Sequence, residues 1–216
     1  MKHHRIILAC LAVAFVPFAA AAPKQSAQNE KILKATDPFE GLTESAIDGN
    51  ADKIAKAFKA AEESRASTRA LLPPDTAQRF DTLFAGLAST QAKKDTVAVA
   101  LQAAELYKLL VSSCDASSLV VPMEVNLLDY SGFRTNALLK STTLDWQALA
   151  DTARDANGYW AKIRSRVTDK KLQAGMDKAQ EGLATAAAKH NAALSHSSAK
   201  RNLDLVDELE GHFAKK

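Results

Sequence analysis

Glycine and proline are scarce in this chain, with 8 and 6 copies among 216 residues. Both residues interrupt regular helices, so their scarcity favours helix over sheet, as does the abundance of Ala, Leu and Lys. Aromatic residues make up only 6% of the chain, whereas 47% of it is hydrophobic. The composition therefore predicts an all-α protein, and its length is sufficient for one sizeable core or two small ones.

The usual signatures of catalysis and of cofactor binding are missing as well. The chain contains no C-x-x-C-H, no H-E-x-x-H, no paired Glu-x-x-His, no Gly-rich phosphate loop and no G-x-S-x-G. Lys and Arg do not run together with interleaved aromatic residues, which argues against nucleic acid as a partner. These absences favour a binding or accessory protein over an enzyme.

The N-terminus has the three parts of a signal peptide. MKHHR is basic, IILACLAVAFVPF is apolar, and AAAA supplies the small residues that signal peptidase requires. We expect cleavage after Ala21, export to a bacterial periplasm, and no transmembrane segment in the mature chain. The alternative is an uncleaved anchor, but the apolar run is short for a span of roughly 20 residues. Loss of Lys2 and Arg5 would lower the formal charge from +3 to about +1.

Cysteine occurs twice. Cys10 would leave with the signal peptide, so Cys114 would be the single thiol of the mature protein and an internal disulfide is excluded. A lone thiol in an oxidising compartment is either buried or available for a mixed disulfide or a covalent dimer.

Helix signals follow one another along the mature chain. Residues 22–38 show little periodicity and are expected to form a flexible leader. Asn50 and Asp95 have the residue type of an N-cap, while Pro73-Pro74 ends a helix. The longest internal connection lies near residues 114–121 and suggests a first helical unit over 39–114 and a second over 120–216.

Apolar residues in the second half repeat at alternating spacings of three and four, which is typical of long helices packed nearly parallel in a bundle. A change of register predicts a helix break near residues 197–199. FDTLFAGLAST (80–90) also resembles MDKAQEGLATA (176–186). The similarity indicates an internal duplication or a chance match between Ala-rich helices. The predicted fold is thus a multi-helix antiparallel bundle, with two related units if the duplication is real.

Glu124 breaks the pattern of a helix predicted over 122–140. That helix has one polar arc, which includes Asn126 and Asp129, and a narrow line of Glu124, Ser131 and Thr135 between its apolar flanks. The line is expected to point inward. A buried carboxylate must lose its charge, find a cation or collect hydrogen bonds. Glu124 is therefore either structural, with the helix dipole and Arg65 as its partners, or a ligand for a metal ion or small molecule.

His190 is the second misfit, at a seam position among alanines. Its ring either hydrogen-bonds a neighbour such as Glu124 or Asn202, or it binds a ligand. Glu208 and His212 lie one turn apart, which suits either two metal ligands or a solvated pair. Trp146 and Trp160 are expected in the core, with an aromatic ligand wall as the alternative.

The expected function is that of an exported, periplasmic and non-enzymatic binding protein for an envelope protein or a small ligand. The alternative is a metal-ion or haem-binding protein with inward-facing Glu124 and His190 as ligands. Asn202 and Ser131 are further ligand-binding candidates, and Glu208 and His212 are further metal candidates. An enzyme would need Glu124 and His190 as a proton-transfer pair.

Overall fold

A computed structural model describes residues 25–215, and over this range the chain is all-α. The regular structure of residues 25–215 consists of nine α-helices and two 3-10 turns, at 116–118 and 164–166, without a strand. The helical-bundle prediction is therefore confirmed. The helices are α1 (Ala27–Lys34), α2 (Asp37–Asp48), α3 (Ala51–Arg69), α4 (Pro74–Ala92), α5 (Thr96–Val111), α6 (Met123–Leu138), α7 (Trp146–Ile163), α8 (Lys170–Ala188) and α9 (Ala192–Ala214).

Side-chain caps determine where most of these helices begin. A Ser, Asn or Asp precedes six of the nine, and its side chain accepts a hydrogen bond from a backbone N–H of the first turn. Such bonds satisfy donors that the helix itself leaves unpaired. The capping residues are Ser26, Asn50, Asp95, Asp145, Asp169 and Asn191.

The longer helices pack as two groups of four. In the first, α2 contacts α3 and α5, and α4 contacts α5; in the second, α6 contacts α7 and α9, and α8 contacts α7 and α9. Short connections make consecutive helices antiparallel. The groups meet where α5 packs against α6, and α2 also contacts α6. The segments 80–90 and 176–186 lie in α4 and α8, the third helix of each group, but the fold does not show a duplication, which stays a prediction.

Helix α6 contributes to both apolar cores. Leu127, Tyr130 and Ala137 belong to the core of the first group, which includes Phe39, Phe80 and Phe84 in edge-on and tilted ring contacts. Val125 and Leu128 belong to the core of the second group, around Trp160, Met176 and Leu209. Burial on two sides explains why α6 has apolar residues around most of its circumference.

The expected leader is helical over part of its length. Residues 27–34 form α1, in which Ile32 is buried. Asn29 is also buried, and its amide donates to the Asp115 carbonyl oxygen while its side-chain oxygen accepts from the Asp115 N–H, each at 2.9 Å. The expectation of flexibility is therefore wrong for this stretch, because hydrogen bonds with the α5–α6 connection hold it. Residues 22–24 and the predicted signal peptide, 1–21, lie outside the described range.

The break in the last helical region lies earlier than predicted. Helix α8 ends at Ala188, and His190 adopts a positive φ of 50° before Asn191 caps α9. Helix α9 then continues without interruption through residues 197–199. The change of register is real, but it reflects a turn between two helices rather than a kink within one.

Candidate functional site

Glu124 lies in the first turn of α6, half-buried, with 23% of its side chain exposed. Lys162 of α7 is its cationic partner, with Nζ 3.7 Å from Oε1. The expected partner, Arg65, is instead 3.3 Å from Asp81 of α4, because α3 packs beside α2 and α4. Glu124 is thus compensated by a neighbouring helix and by its position in a first turn.

His190 is exposed in the turn between α8 and α9, so the expectation that it faces inward is wrong. Its ring stacks on Trp146 at the start of α7, with centroids 4.8 Å apart and planes 11° apart. Glu124 contacts Lys162 near the opposite end of that helix. At 1.5 Å per residue, Trp146 and Lys162 are roughly 24 Å apart. Glu124 and His190 therefore cannot share one ion or act as a proton-transfer pair.

Asn202 and Ser131 are both fully buried and both have partners. The Asn202 amide donates to the Leu128 carbonyl oxygen and its side-chain oxygen accepts from the Gln180 amide, each at 2.7 Å. The Ser131 hydroxyl donates to the Leu127 carbonyl oxygen at 2.9 Å. Asn202 thus links α9 to α8 and α6 and does not contact His190, contrary to expectation, whereas the Ser131 hydrogen bond stays within α6.

The second candidate for a metal site is the pair Glu208 and His212, and one of its nitrogen atoms is already engaged in a hydrogen bond. The His212 Nε2 accepts a hydrogen bond from the Thr168 N–H at 3.4 Å, and Glu208 is exposed. Across residues 25–215, no three His, Cys, Asp or Glu side chains lie close enough together to hold a metal ion.

The two tryptophans and Cys114, the other residues singled out in the sequence, pack in the core or at its edge. Trp160 is buried and donates to Asp177 at 2.8 Å, as core packing predicts, whereas Trp146 is only half-buried. Cys114 is a buried free thiol. Burial raises the pKa of the Cys114 thiol to about 11, which keeps it protonated and unreactive at neutral pH.

A cleft lies between the two groups of helices, at a place that the sequence did not predict. It has a volume of about 670 Å³. Helix α2 forms one wall and α9 forms the other, while α5 and α6 supply the floor. We call it the acidic cleft, because seven carboxylates and a single lysine, Lys34, line it. The carboxylates are Asp37, Glu40, Glu44, Asp129, Asp204, Asp207 and Glu210.

Helical spacing explains how the carboxylates line the walls. Asp37, Glu40 and Glu44 follow one another by three and four residues on α2, and Asp204, Asp207 and Glu210 by three on α9. Residues at these spacings share one helix face. Asp129 lies on the floor, where it accepts a hydrogen bond from the Tyr107 hydroxyl at 3.3 Å. The result is two facing rows of acids with one more between them.

Two carboxylates of the acidic cleft differ from the other half-buried acids of residues 25–215, because they have no cationic partner. Seven carboxylates of residues 25–215 are half-buried. Five of them pair with an Arg or Lys: Asp81, Glu105, Glu124, Asp151 and Asp177. The other two are Glu40 and Asp129, and both line the acidic cleft. The chain therefore compensates its half-buried acids everywhere in the described range except at this cleft.

Burial and mutual repulsion raise the pKa values of these two acids. Desolvation, then the charges of Glu44 and Asp37, raise the pKa of Glu40 to about 7. Desolvation, followed by Glu40 and Glu210, raises the pKa of Asp129 well above its usual range, although the Tyr107 hydroxyl opposes the shift. Strongly perturbed carboxylates in a cleft mark a functional-site candidate.

The sequence already contains part of the pattern that forms the acidic cleft. Asp129 and Asn126 belong to the polar arc of α6, and the acids of α2 and α9 share helix faces. A polar arc is ordinarily a solvated surface, however, and nothing in the periodicity of one helix shows which other helix its polar face meets.

Comparison with known proteins finds no match to a protein-family model, to a curated protein or to a solved structure.

Proposed function

We propose that the protein is exported to the bacterial periplasm and acts there as a non-enzymatic binding protein, with the acidic cleft as its binding site for a cationic ligand. The observation that carries the proposal is the absence of a cation beside Glu40 and Asp129, when the five other half-buried carboxylates of residues 25–215 each have one. The N-terminal signal-peptide pattern supports export.

Negative charge in the acidic cleft is unfavourable without a cationic partner. A carboxylate removed from water and placed beside other carboxylates is unstable as an anion. Elsewhere in the fold, Asp177 has a cationic partner in Arg164, whose Nε lies 2.8 Å from the Asp177 Oδ1. A positively charged ligand would provide such a partner for Glu40 and Asp129. Binding energy is thereby available without a conformational change, because the helices already hold the acids in place.

The metal or haem alternative has no comparable support. Glu124 and His190 are at opposite ends of α7, and the acids of the cleft are spread along two walls instead of converging on a point. We therefore propose no second function.

Two measurements test the proposal. Expression with the native N-terminus, followed by cell fractionation and intact mass, should give a periplasmic protein that lacks residues 1–21. Retention of the full-length chain in the membrane would contradict export.

Thermal unfolding of the mature protein tests the cleft. Cationic compounds should raise the unfolding temperature, whereas neutral and anionic compounds of similar size should not. The double substitution Glu40→Gln, Asp129→Asn should abolish the effect, and Glu62→Gln, at an exposed position of α3, should preserve it. Stabilisation by anions instead of cations would refute the assignment of the cleft.

A further inference from the structure

We infer that the ligand of the acidic cleft is a linear polyamine, an extended chain of ammonium groups separated by methylenes, bound between the facing acid rows of α2 and α9. This inference rests on the proposed function and goes further by naming the chemical class. Three properties of the cleft support it: the spacing of its acids, its length and its apolar surface.

The spacing of the acids matches that of a polyamine better than that of a metal ion. Side chains three or four residues apart on a helix are about 5–6 Å from each other at Cβ. Successive nitrogens of a chain with three or four methylenes between them are about 5–6 Å apart as well. A metal ion instead needs its oxygen ligands within about 2.6 Å of one centre, and no group of three acidic or His/Cys side chains in residues 25–215 provides this.

The length of the walls sets the length of the ligand. From Asp37 to Glu44 helix α2 rises about 10 Å, and from Asp204 to Glu210 helix α9 rises about 9 Å. An extended triamine such as spermidine spans about 11 Å between its end nitrogens, whereas 1,4-diaminobutane spans about 6 Å. A triamine can therefore meet acids along the full length of both walls.

The cleft also offers apolar surface for methylene groups. Leu33, Val121, Phe133 and Leu203 line it alongside the acids. Tyr107 and Phe133 place aromatic rings at the floor, edge-on to each other with centroids 6.0 Å apart. Aromatic rings favour neighbouring cations. A hydrated inorganic ion would gain nothing from these groups, but an alkylammonium chain would bury its methylenes on them.

Proton release should accompany binding. The groups that face Glu40 across the cleft are mostly anionic, so the free protein holds protons there that an ammonium ligand displaces. Polyamine affinity should therefore rise as pH increases from about 5.5 to 8, while the amines, like Lys, stay charged over this range. The titratable or charged groups around Glu40 are Lys34 of α1, Asp37 and Glu44 of α2, Tyr107 of α5, Asp129 of α6, and Asp204, Asp207 and Glu210 of α9.

Isothermal titration of the mature protein at pH 8 and low salt tests the inference. The probes are spermidine, 1,4-diaminobutane, butylamine, Mg²⁺ and a lysine-rich peptide. We expect spermidine to bind at a stoichiometry of one, at least about tenfold more tightly than butylamine or Mg²⁺. Added salt should weaken binding, because part of the cleft is open to solvent.

Matched variants assign the binding to the cleft. Glu40→Gln with Asp129→Asn should weaken spermidine binding by at least about tenfold, and Glu62→Gln should leave it unchanged. Both cleft substitutions keep the shape of the side chain and remove charge repulsion. The double variant should therefore be at least as stable as the parent, so that a loss of spermidine binding would not result from unfolding.

The outcomes separate the two proposals. Equal binding of Mg²⁺ and spermidine, or tighter binding of the peptide than of any amine, would overturn the polyamine inference and leave a cation-binding cleft. Failure of every cationic probe to bind would overturn both. Spermidine binding that survives the double variant would overturn the assignment to this cleft.

Discussion

At the scale of single residues, the buried side chains of Gln180 and Asn202 connect three helices of the second group. Asn202 accepts from Gln180 of α8 and donates to the Leu128 carbonyl oxygen of α6. The Gln180 side-chain oxygen has no hydrogen-bond partner among residues 25–215. Such a connection is directional, unlike apolar contact, so it also specifies how these helices are rotated against each other.

Replacing Asn202 with Leu should destabilise the protein by about 2–4 kcal/mol, because the Gln180 amide would be buried without an acceptor. Urea denaturation of the single variant measures this cost. The double variant Gln180→Leu, Asn202→Leu removes both buried polar groups and should cost clearly less than the sum of the singles. Additive costs would show that the two side chains are not coupled.

Gly132 of α6 lies directly against Leu203 of α9. A Cβ at this position would lie 2.5 Å from Leu203 Cδ2 and 2.6 Å from Leu203 Cγ. At Gly158 in α7, such a Cβ would meet no heavy atom of residues 25–215 within 4 Å beyond its chain neighbours and the nearby backbone of its own helix. Gly132→Ala should therefore cost about 1–2 kcal/mol through displaced packing, whereas Gly158→Ala should stabilise by up to about 1 kcal/mol through helix propensity.

Thermal or chemical unfolding of the two glycine variants compares them directly. Equal stabilisation of both would mean that Leu203 moves into the cleft at no cost and that the contact does not limit the helix separation.

At the scale of elements, the turns that end α4 and α8 each contain a residue in the left-handed backbone conformation, but the side chains of these two residues have different surroundings. Lys94 and His190 both have positive φ, at 58° and 50°. Lys94 is exposed, whereas His190 stacks on Trp146. The stack joins the α8–α9 turn to the start of α7, which stabilises that end of the second group.

Glycine substitutions at these two turns should separate backbone strain from stacking. Lys94→Gly should stabilise by up to about 1 kcal/mol, because a left-handed backbone favours glycine. His190→Gly gains the same relief but loses the stack, so it should be less stabilising by about 0.5–1.5 kcal/mol. Equal effects on the free energy of unfolding would show that the stack contributes nothing.

At the scale of the whole molecule, the acidic cleft makes stability depend on pH. Glu40 has a pKa of about 7 in the fold, above its ordinary value of 4.5, so the folded state binds a proton that the unfolded chain releases between these values. Stability from this group is complete below about pH 4.5 and is lost as pH rises through about 7. The pKa of Asp129 is raised too and acts in the same direction.

We expect the free energy of unfolding to fall between about pH 5 and pH 7.5. At 1.36 kcal/mol per pKa unit the Glu40 shift alone would give about 3 kcal/mol, and partial exposure to water in the cleft reduces this to about 1–2 kcal/mol. Denaturant unfolding at several pH values measures the slope. Glu40→Gln should flatten it, whereas Glu62→Gln should not, and an unchanged slope in Glu40→Gln would contradict this origin.

The sequence by itself determined the helical class, because scarce glycine and proline, N-caps such as Asn50 and Asp95, and the Pro73-Pro74 stop act locally. It also showed that α6 has apolar residues on two flanks. It did not determine the partner of Glu124, the exposed position of His190 or the acidic cleft.

Those features depend on which helix faces meet. Periodicity describes each helix about its own axis, whereas the partner of a side chain depends on the rotation and order of neighbouring helices, which side-chain packing decides. His190 is one example. Its spacing predicted a buried position in a long helix, but the three-residue turn between α8 and α9 places it at the surface. The cleft is the clearest case, because the acids of α2 and α9 are separated by most of the chain and only the packing of the two groups through α5 and α6 brings them face to face.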